Sequence, residues 1–188
     1  MNAYPTLNTE RLLLRQPQAH DIPTIVQLAN EPTVAHMTLN IPHPYAESDA
    51  IYWLNAANQG FASGLHQVFA IELRETNQFI GGIGITVEPR FNRAEAGYWV
   101  GKPFWNKGFA TEALRAVLAF GFETLELHKI FATHLTENPA SGKVMQRAGM
   151  HWEAELHQHV RKNEQYLDLM QYQLTRPIYL ASSAGPTP

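Results

Sequence analysis

The chain has 188 residues, 45% hydrophobic and 16% charged, with 14 Lys and Arg against 17 Asp and Glu for a formal net charge of -3. That balance suits one folded domain with a substantial core rather than a disordered chain, and with no basic excess or stripe it argues against a nucleic-acid partner. There are no cysteines, which removes disulfides, thiolate metal sites and any acyl-cysteine intermediate.

Met1 to Thr9 has neither the basic start nor the apolar core of a signal peptide. No apolar run approaches the ~20 residues that cross a bilayer, so the expectation is a cytoplasmic protein with no membrane partner. Leu12, Leu13 and Leu14 between Arg11 and Arg15 predict a first strand. Asp21 followed by Ile22-Pro23 opens a helix, since proline is tolerated in a first turn. It carries Ile25, Val26, Leu28 and Ala29 inward and stops near Glu31-Pro32. Thr33 to Tyr45, with Pro42 and Pro44 inside it and Pro32 just before, reads as a loop, and Glu47 to Ala57 as a second helix.

Strands follow in quick succession. Gln67 to Leu73 alternates, and Phe79 to Val87 is apolar with Gly81, Gly82 and Gly84 embedded, the pattern of a strand with close backbone neighbours. Glu75-Thr76-Asn77-Gln78 is the hairpin turn between them. Ala94 to Val100 is the fourth strand. The clearest helix comes next: Ala110, Ala113, Leu114, Val117 and Gly121 share one face, while Glu112, Arg115, Ala119, Glu123 and Glu126 share the other. Lys129 to Leu135 is a fifth strand. Asn138 opens a shorter helix with Pro139 at its first position, and Gly149 ends it. Trp152 to Val160 and Tyr166 to Leu174 close the order, joined at Arg161 to Glu164. In the first of these, Trp152, Ala154, Leu156 and Val160 are expected on one face and His151, Glu153, Glu155, His157 and His159 on the other. The fold class is α+β: a mixed, mostly antiparallel sheet of about seven strands under about four helices. Residues 1–176 are expected to form a single domain, and residues 177–188 a frayed tail.

Gly101 to Thr111 lies between a strand and the best helix. The first N–H groups of a helix lack partners within it, and its dipole adds positive charge there, so that end can hold a phosphate group. Gly108 lets backbone approach a ligand, Lys107 adds a cation and Thr111 a hydroxyl. On spacing alone, Gly108 equally permits a plain turn. No Gly-x-x-x-x-Gly-Lys-Ser/Thr is present, and Gly82-x-Gly84 leads into more strand.

Tyr98-Trp99-Val100 followed by Phe104-Trp105-Asn106-Lys107-Gly108-Phe109-Ala110-Thr111-Glu112-Ala113 resembles the coenzyme-binding motif of the GNAT acetyltransferases, in the wording of the branch similar to the RimJ/RimL ribosomal-protein N-terminal acetyltransferases. That superfamily's loop is Gln/Arg-x-x-Gly-x-Gly/Ala, and here Trp105 stands in the Gln/Arg position, a departure usual in that branch. Thr9 to Arg15, Phe79 to Gly84 and Glu137 to Met150 resemble the family's first strand, third strand and Asn-x-x-Ser helix, so the likeness spans roughly Thr9 to Arg176 in the correct order.

The resemblance implies a GNAT-like domain whose sheet splays between the fourth and fifth strands, and acetyl transfer from acetyl-CoA, as co-substrate, directly to an amine. No cofactor is held permanently. It implies coenzyme contacts at Trp99, Val100, Asn106, Lys107, Gly108, Phe109, Ala110, Thr111, Asn138, Ser141 and Lys143. Lys143 reads equally as a solvated surface lysine. Glu95 is the preferred general base, with Glu153 and Glu155 as competing carboxylates, and Ser141 the group that protonates the thiolate. An α-amine, near ~8, needs less help from a base than a lysine near ~10.4.

The acceptor is an amine: a protein or peptide N-terminus, or a small amine such as an amino acid, polyamine or drug. A coenzyme A-binding sensor without turnover is the reading from a different class. His157 and His159 with Glu155 have metal-like spacing, but the polar face of a strand explains them, and no metal is expected. Trp53, Phe61 and His66 either line the acceptor cleft or pack. Oligomeric state has no signal in the sequence.

Overall fold

Runs of β-branched and large apolar residues, apolar on both faces in the centre of the chain, build one sheet. In the computed structural model, which describes residues 3–183, the strands are β1 (Leu7–Asn8), β2 (Leu12–Arg15), β3 (His66–Leu73), β4 (Gln78–Glu88), β5 (Arg93–Val100), β6 (Lys129–Leu135), β7 (His151–Lys162) and β8 (Gln165–Thr175). The α-helices are α1 (Ile22–Ala29), α2 (Pro32–Met37), α3 (Glu47–Ser63), α4 (Phe109–Ala119), α5 (Pro139–Arg147) and α6 (Arg176–Ser183). Strand order is β1-β2-β3-β4-β5-β6-β8-β7, antiparallel at every step except β5–β6.

That parallel step is where the sheet opens. β5 and β6 pair only at Arg93–Lys129, Ala94–Ile130 and Glu95–Phe131. Beyond Glu95, β5 stays with β4 as far as Val100, while β6 stays with β8 as far as Leu135. A Cβ at Gly81 would sit 2.2 Å from the Trp99 carbonyl oxygen. Only glycine there lets β4 lie close enough to keep β5 on its side of the split.

The larger core lies under α4 and α5. Leu114 and Val117 of α4 are fully buried against Leu14, Ile83 and Ile130 of the sheet, each contributing on the order of 1.5–3 kcal/mol by leaving water. A smaller core on the opposite face joins Ile25, Leu28 and Ala29 of α1 to Ala70 and Phe79, with Trp53 and Trp99 packed against it. Arg15 anchors this side, bonding Asp21 at 2.7 Å and Glu72 at 2.6 Å with all three side chains largely buried. Burial pushes the Asp21 carboxyl up, but hydrogen bonds from Arg15 and the Gln18 amide outweigh it and hold it below the ordinary range.

Several sequence expectations change. The sheet has eight strands because Leu7–Asn8 folds back on β2, pairing Leu7 with Leu14. The proline-rich Thr33 to Tyr45 is not all loop: Pro32 sits at the first position of the short helix α2, where its missing N–H costs nothing. α3 runs six residues past Ala57, to Ser63, and ends at the left-handed Gly64. After Ala119 the predicted helix widens into a π-turn over Phe120–Thr124. Residues 177–183 of the expected frayed tail lie in α6, where Tyr179 stacks on Phe122 at 4.9 Å; residues 184–188 lie outside the described residues. Register breaks near Glu153 and between Leu156 and Val160 undo strict alternation in β7. Trp152 thus pairs with Tyr172 and Ala154 with Gln171, on opposite faces, and Trp152 is 60% exposed.

Candidate active site

The loop from β5 to α4 is built to present backbone. Trp105 donates its indole N–H to the Val100 carbonyl and folds the loop against the end of β5. Asn106 and Gly108 both take left-handed backbone, at φ 62° and 82°. α4 then begins at Phe109 with no side-chain cap, so its first-turn N–H groups remain available to a ligand. Any side chain at Gly108 would be strained there, and its Cβ would lie 3.4 Å from the Arg11 guanidinium.

Glu112, in the same first turn, would repel an anion if left bare. Arg11 holds it through Nε at 2.7 Å and Nη2 at 2.6 Å, and Thr9 adds a hydroxyl at 2.6 Å. Partial burial pushes this carboxyl up, yet those bonds outweigh burial and keep it ionised and occupied. Arg11 also lies 4.7 Å over the Phe109 ring, and its Nη1 donates to the Lys107 carbonyl. The Lys107 ammonium sits 5.6 Å above the Phe104 ring at the exposed rim. Thr111 is buried and Ala110 half-buried against the main core.

α5 approaches the split from the β6 side. Asn138 caps it, its Oδ1 accepting the Ser141 N–H at 3.2 Å, while its Nδ2 donates to the Met37 carbonyl at 3.1 Å. The Ser141 hydroxyl is 2.8 Å from the Tyr98 hydroxyl, which also lies 3.0 Å from the Ser141 carbonyl. Burial pushes the Tyr98 hydroxyl well above its ordinary range, with the Ser141 bond offsetting part of that, so it stays neutral. Lys143, two residues further along the same helix, is exposed.

Glu95 lies on the opposite face of β5 from Tyr98, three residues away on an alternating strand. It is exposed, and its Oε1 accepts the Thr133 hydroxyl at 3.1 Å. The competing Glu153 is paired with Lys129 and receives Gln171 Nε2 at 2.8 Å. Burial raises its carboxyl, but those bonds outweigh that and lower it. Glu155 lies instead beside His157 at 4.0 Å, and with Asp168 these form a group whose ligand atoms lie within 4.8 Å of one another. His159 is not in that group; it lines the groove. Asp168 accepts the Gln158 N–H at 2.6 Å, which gives it a structural task in the β7 irregularity.

One groove of about 1390 Å³ joins these parts, lined by Glu95, Tyr98, Gly108, Thr133, Asn138 and Ser141 among others. Its size exceeds the ~300–1,000 Å³ usual for a drug-sized ligand, and leaves room for a long ligand together with an acceptor. Trp53 lines it; Phe61 instead packs at a tilt against Tyr4 with ring centroids 4.3 Å apart, and His66 Nδ1 meets the Thr86 hydroxyl at 3.1 Å. Trp99 turns its ring 6.0 Å from Phe79, and Val100 is buried with its carbonyl taken by Trp105. Sequence reasoning missed the Tyr98 and Thr133 side chains. Strand parity carried the signal for Tyr98, which must face away from Glu95; Thr133 had none.

Residues 11–151 match the Acetyltransferase (GNAT) domain family. The N-acetyltransferase p20 of Bacillus licheniformis is 31% identical over 176 residues, 93% of this chain and 98% of p20. Two solved structures share the fold. Mycobacterium smegmatis RimJ, in complex with a CoA disulfide, has a TM-score of 0.84 at 21% identity over 97% of this chain and 95% of RimJ. RimL, a ribosomal-protein α-N-acetyltransferase in complex with coenzyme A, has a TM-score of 0.80 at 18% identity over 91% of this chain and 98% of its own. With three quarters of its length matched by the family and a full-length relative above 30% identity, the chain belongs to the GNAT acetyltransferases, enzymes that transfer acetyl from acetyl-CoA.

Proposed function

We propose that this enzyme acetylates a free α-amine at a peptide or protein N-terminus, in the manner of the RimJ/RimL-like branch, and works in the cytoplasm. The observation that carries the chemistry is the pair of faces at the split. Glu95 with Thr133 stands on one side of β5, and Tyr98 with Ser141 on the other. A thioester lying in the opening between β5 and β6 would have a base before it and an acid behind it.

Glu95 takes the proton released as the amine adds, with Thr133 holding the carboxylate in position. Backbone N–H groups near Trp99 and Val100, beyond the last β6 pairing, are suited to the acyl oxygen as it becomes negative. The Ser141 hydroxyl supplies the proton to the departing sulfur. The N–H groups of Phe109, Ala110 and Thr111, the turn at Asn106 and Gly108, and the Lys107 ammonium hold the diphosphate. Lys143 reaches the adenosine phosphates, and the second Asn138 amide N–H meets the pantetheine. The open β5 edge and the uncapped α4 start fit a long, diphosphate-bearing thioester co-substrate, which supplies the activated acetyl group.

An α-amine near ~8 needs only a weak base at neutral pH, in keeping with a carboxylate as exposed as Glu95. RimL, of the same fold, acts on an α-amine. Thiol release from acetyl-CoA should be followed with hexapeptides bearing a free N-terminus, the same peptides N-terminally blocked with an internal lysine, and spermidine. Fast turnover of the free-terminus peptides alone is expected; turnover of spermidine alone would move the assignment to small amines.

A further inference from the structure

The segment between α1 and α3 crosses the acceptor side of the groove, and distant side chains hold it there. Lys162, the last residue of β7, donates to the Ala35 carbonyl at 2.6 Å, the His36 carbonyl at 3.2 Å and the Thr38 carbonyl at 2.6 Å. Asn138 binds the carbonyl between them, that of Met37. Four consecutive carbonyls at the end of α2 are thus satisfied by two side chains, both more than a hundred residues away in sequence. Beside them His36 Nε2 lies 3.4 Å from Glu137.

A lysine near a helix C-terminus commonly comes from that helix's own last turn. This one comes from the other half of the split sheet, and α2 is only six residues long, too short to persist without tertiary support. Met37, Thr38, Leu39, Asn40 and Ile41 line the same groove as Glu95 and Thr133. Partial burial lowers the Lys162 ammonium, with Glu137 raising it in part. That is the signature of an ammonium withdrawn from water to serve the carbonyls.

We propose that Lys162 is a positioning residue for the acceptor: it buckles residues 35–38 as a strap across the groove, so that the amine reaches Glu95 beneath a fixed roof. Asn138 ties the same strap to the cap of α5, which links the roof to the coenzyme side. The inference rests on the acetyl-transfer reading for what passes under the strap, but not for the strap itself.

The test compares the wild type with Lys162→Met, which keeps the apolar stem and loses the donors, and with Lys162→Arg, which keeps a cation and several donors. Hydrogen–deuterium exchange of amides 33–41 should accelerate at least tenfold in Lys162→Met and recover substantially in Lys162→Arg. The Kd for coenzyme A should stay within twofold. With the free-terminus hexapeptide or spermidine, whichever the wild type acetylates, KM should rise about tenfold while kcat changes less than threefold. Unchanged exchange in residues 33–41 overturns the strap. Coenzyme affinity falling in step with acceptor KM overturns the acceptor-side role and leaves a general structural one. If the wild type acetylates neither probe, the proposed acceptor assignment is what has failed, and the exchange comparison still decides the strap.

Discussion

The two sides of the split sheet are built by different means. The side proposed for the coenzyme presents backbone: an uncapped helix start, two left-handed residues and an open strand edge, all within Ala96 to Thr111. The acceptor side presents side chains and is assembled from far-apart segments: Glu95 with Thr133, Glu153 with Lys129, and Lys162 with Ala35. Backbone recognition tolerates side-chain change but not a change of φ. Side-chain assembly has the opposite sensitivity, so substitutions on the two sides should fail in different ways.

The largest expected effect lies at the anchor of the acceptor side. Arg15→Met leaves Asp21 and Glu72 buried without their cation, which costs on the order of 3–5 kcal/mol, measurable as a lower urea midpoint. Because the Asp21 carboxyl is depressed in the fold, the wild-type pair contributes fully above the unfolded value near ~3.9 and loses its contribution as pH falls through the lower folded value. The gap between wild type and Arg15→Met should therefore be constant from pH 5 to 7 (roughly the plateau for a carboxylate) and shrink below pH ~4. A gap that widens in acid would contradict the depressed carboxyl.

Glu95→Gln should lower kcat by roughly 10²-fold, within the usual range for losing a general base, and leave the coenzyme Kd within twofold. If turnover holds between about pH 6 and 8, Glu95 is not the base. Gly108→Val places a β-branched residue at φ 82°, a strain of roughly 1–2 kcal/mol, and should weaken coenzyme A binding about tenfold in a calorimetric titration. Lys107→Ala should weaken it only ~2–5-fold, since one exposed charge at a helix start contributes ~0.3–1 kcal/mol. A Lys107→Ala loss exceeding that of Gly108→Val would break the comparison, because the diphosphate would then be held by charge rather than by backbone.

Legibility in the sequence follows the same division. The α4 and α5 starts could be read directly: Gly108 before an amphipathic run, and Asn138-Pro139 with Ser141 three residues on, whose amide Asn138 does cap. Gly149 takes the left-handed end expected of it, at φ 95°. The misreadings fall where distant segments meet. Three prolines hid α2, since proline signals a helix start as readily as a loop. An assumption of strict alternation placed Trp152 beside Ala154, where a register break sets them on opposite faces. α6 was taken for a tail because its small residues say nothing of Tyr179 docking on Phe122.

By itself, the sequence determined the order of the main strands and helices, the family, and the turn of backbone proposed to face the donor. The elements and the turn are written in residues within about one helical turn or one strand of each other, where periodicity and capping act; the family rests instead on the resemblance of motifs spread from Thr9 to Arg176. Only the tertiary structure decided that Tyr98 meets Ser141, that Thr133 holds Glu95, and that Lys162 closes over residues 35–38. Those partners lie 38 to 127 residues apart. No local pattern encodes such pairs; they exist because β5 and β6 part beyond Glu95 and the two halves of the sheet face each other across the opening.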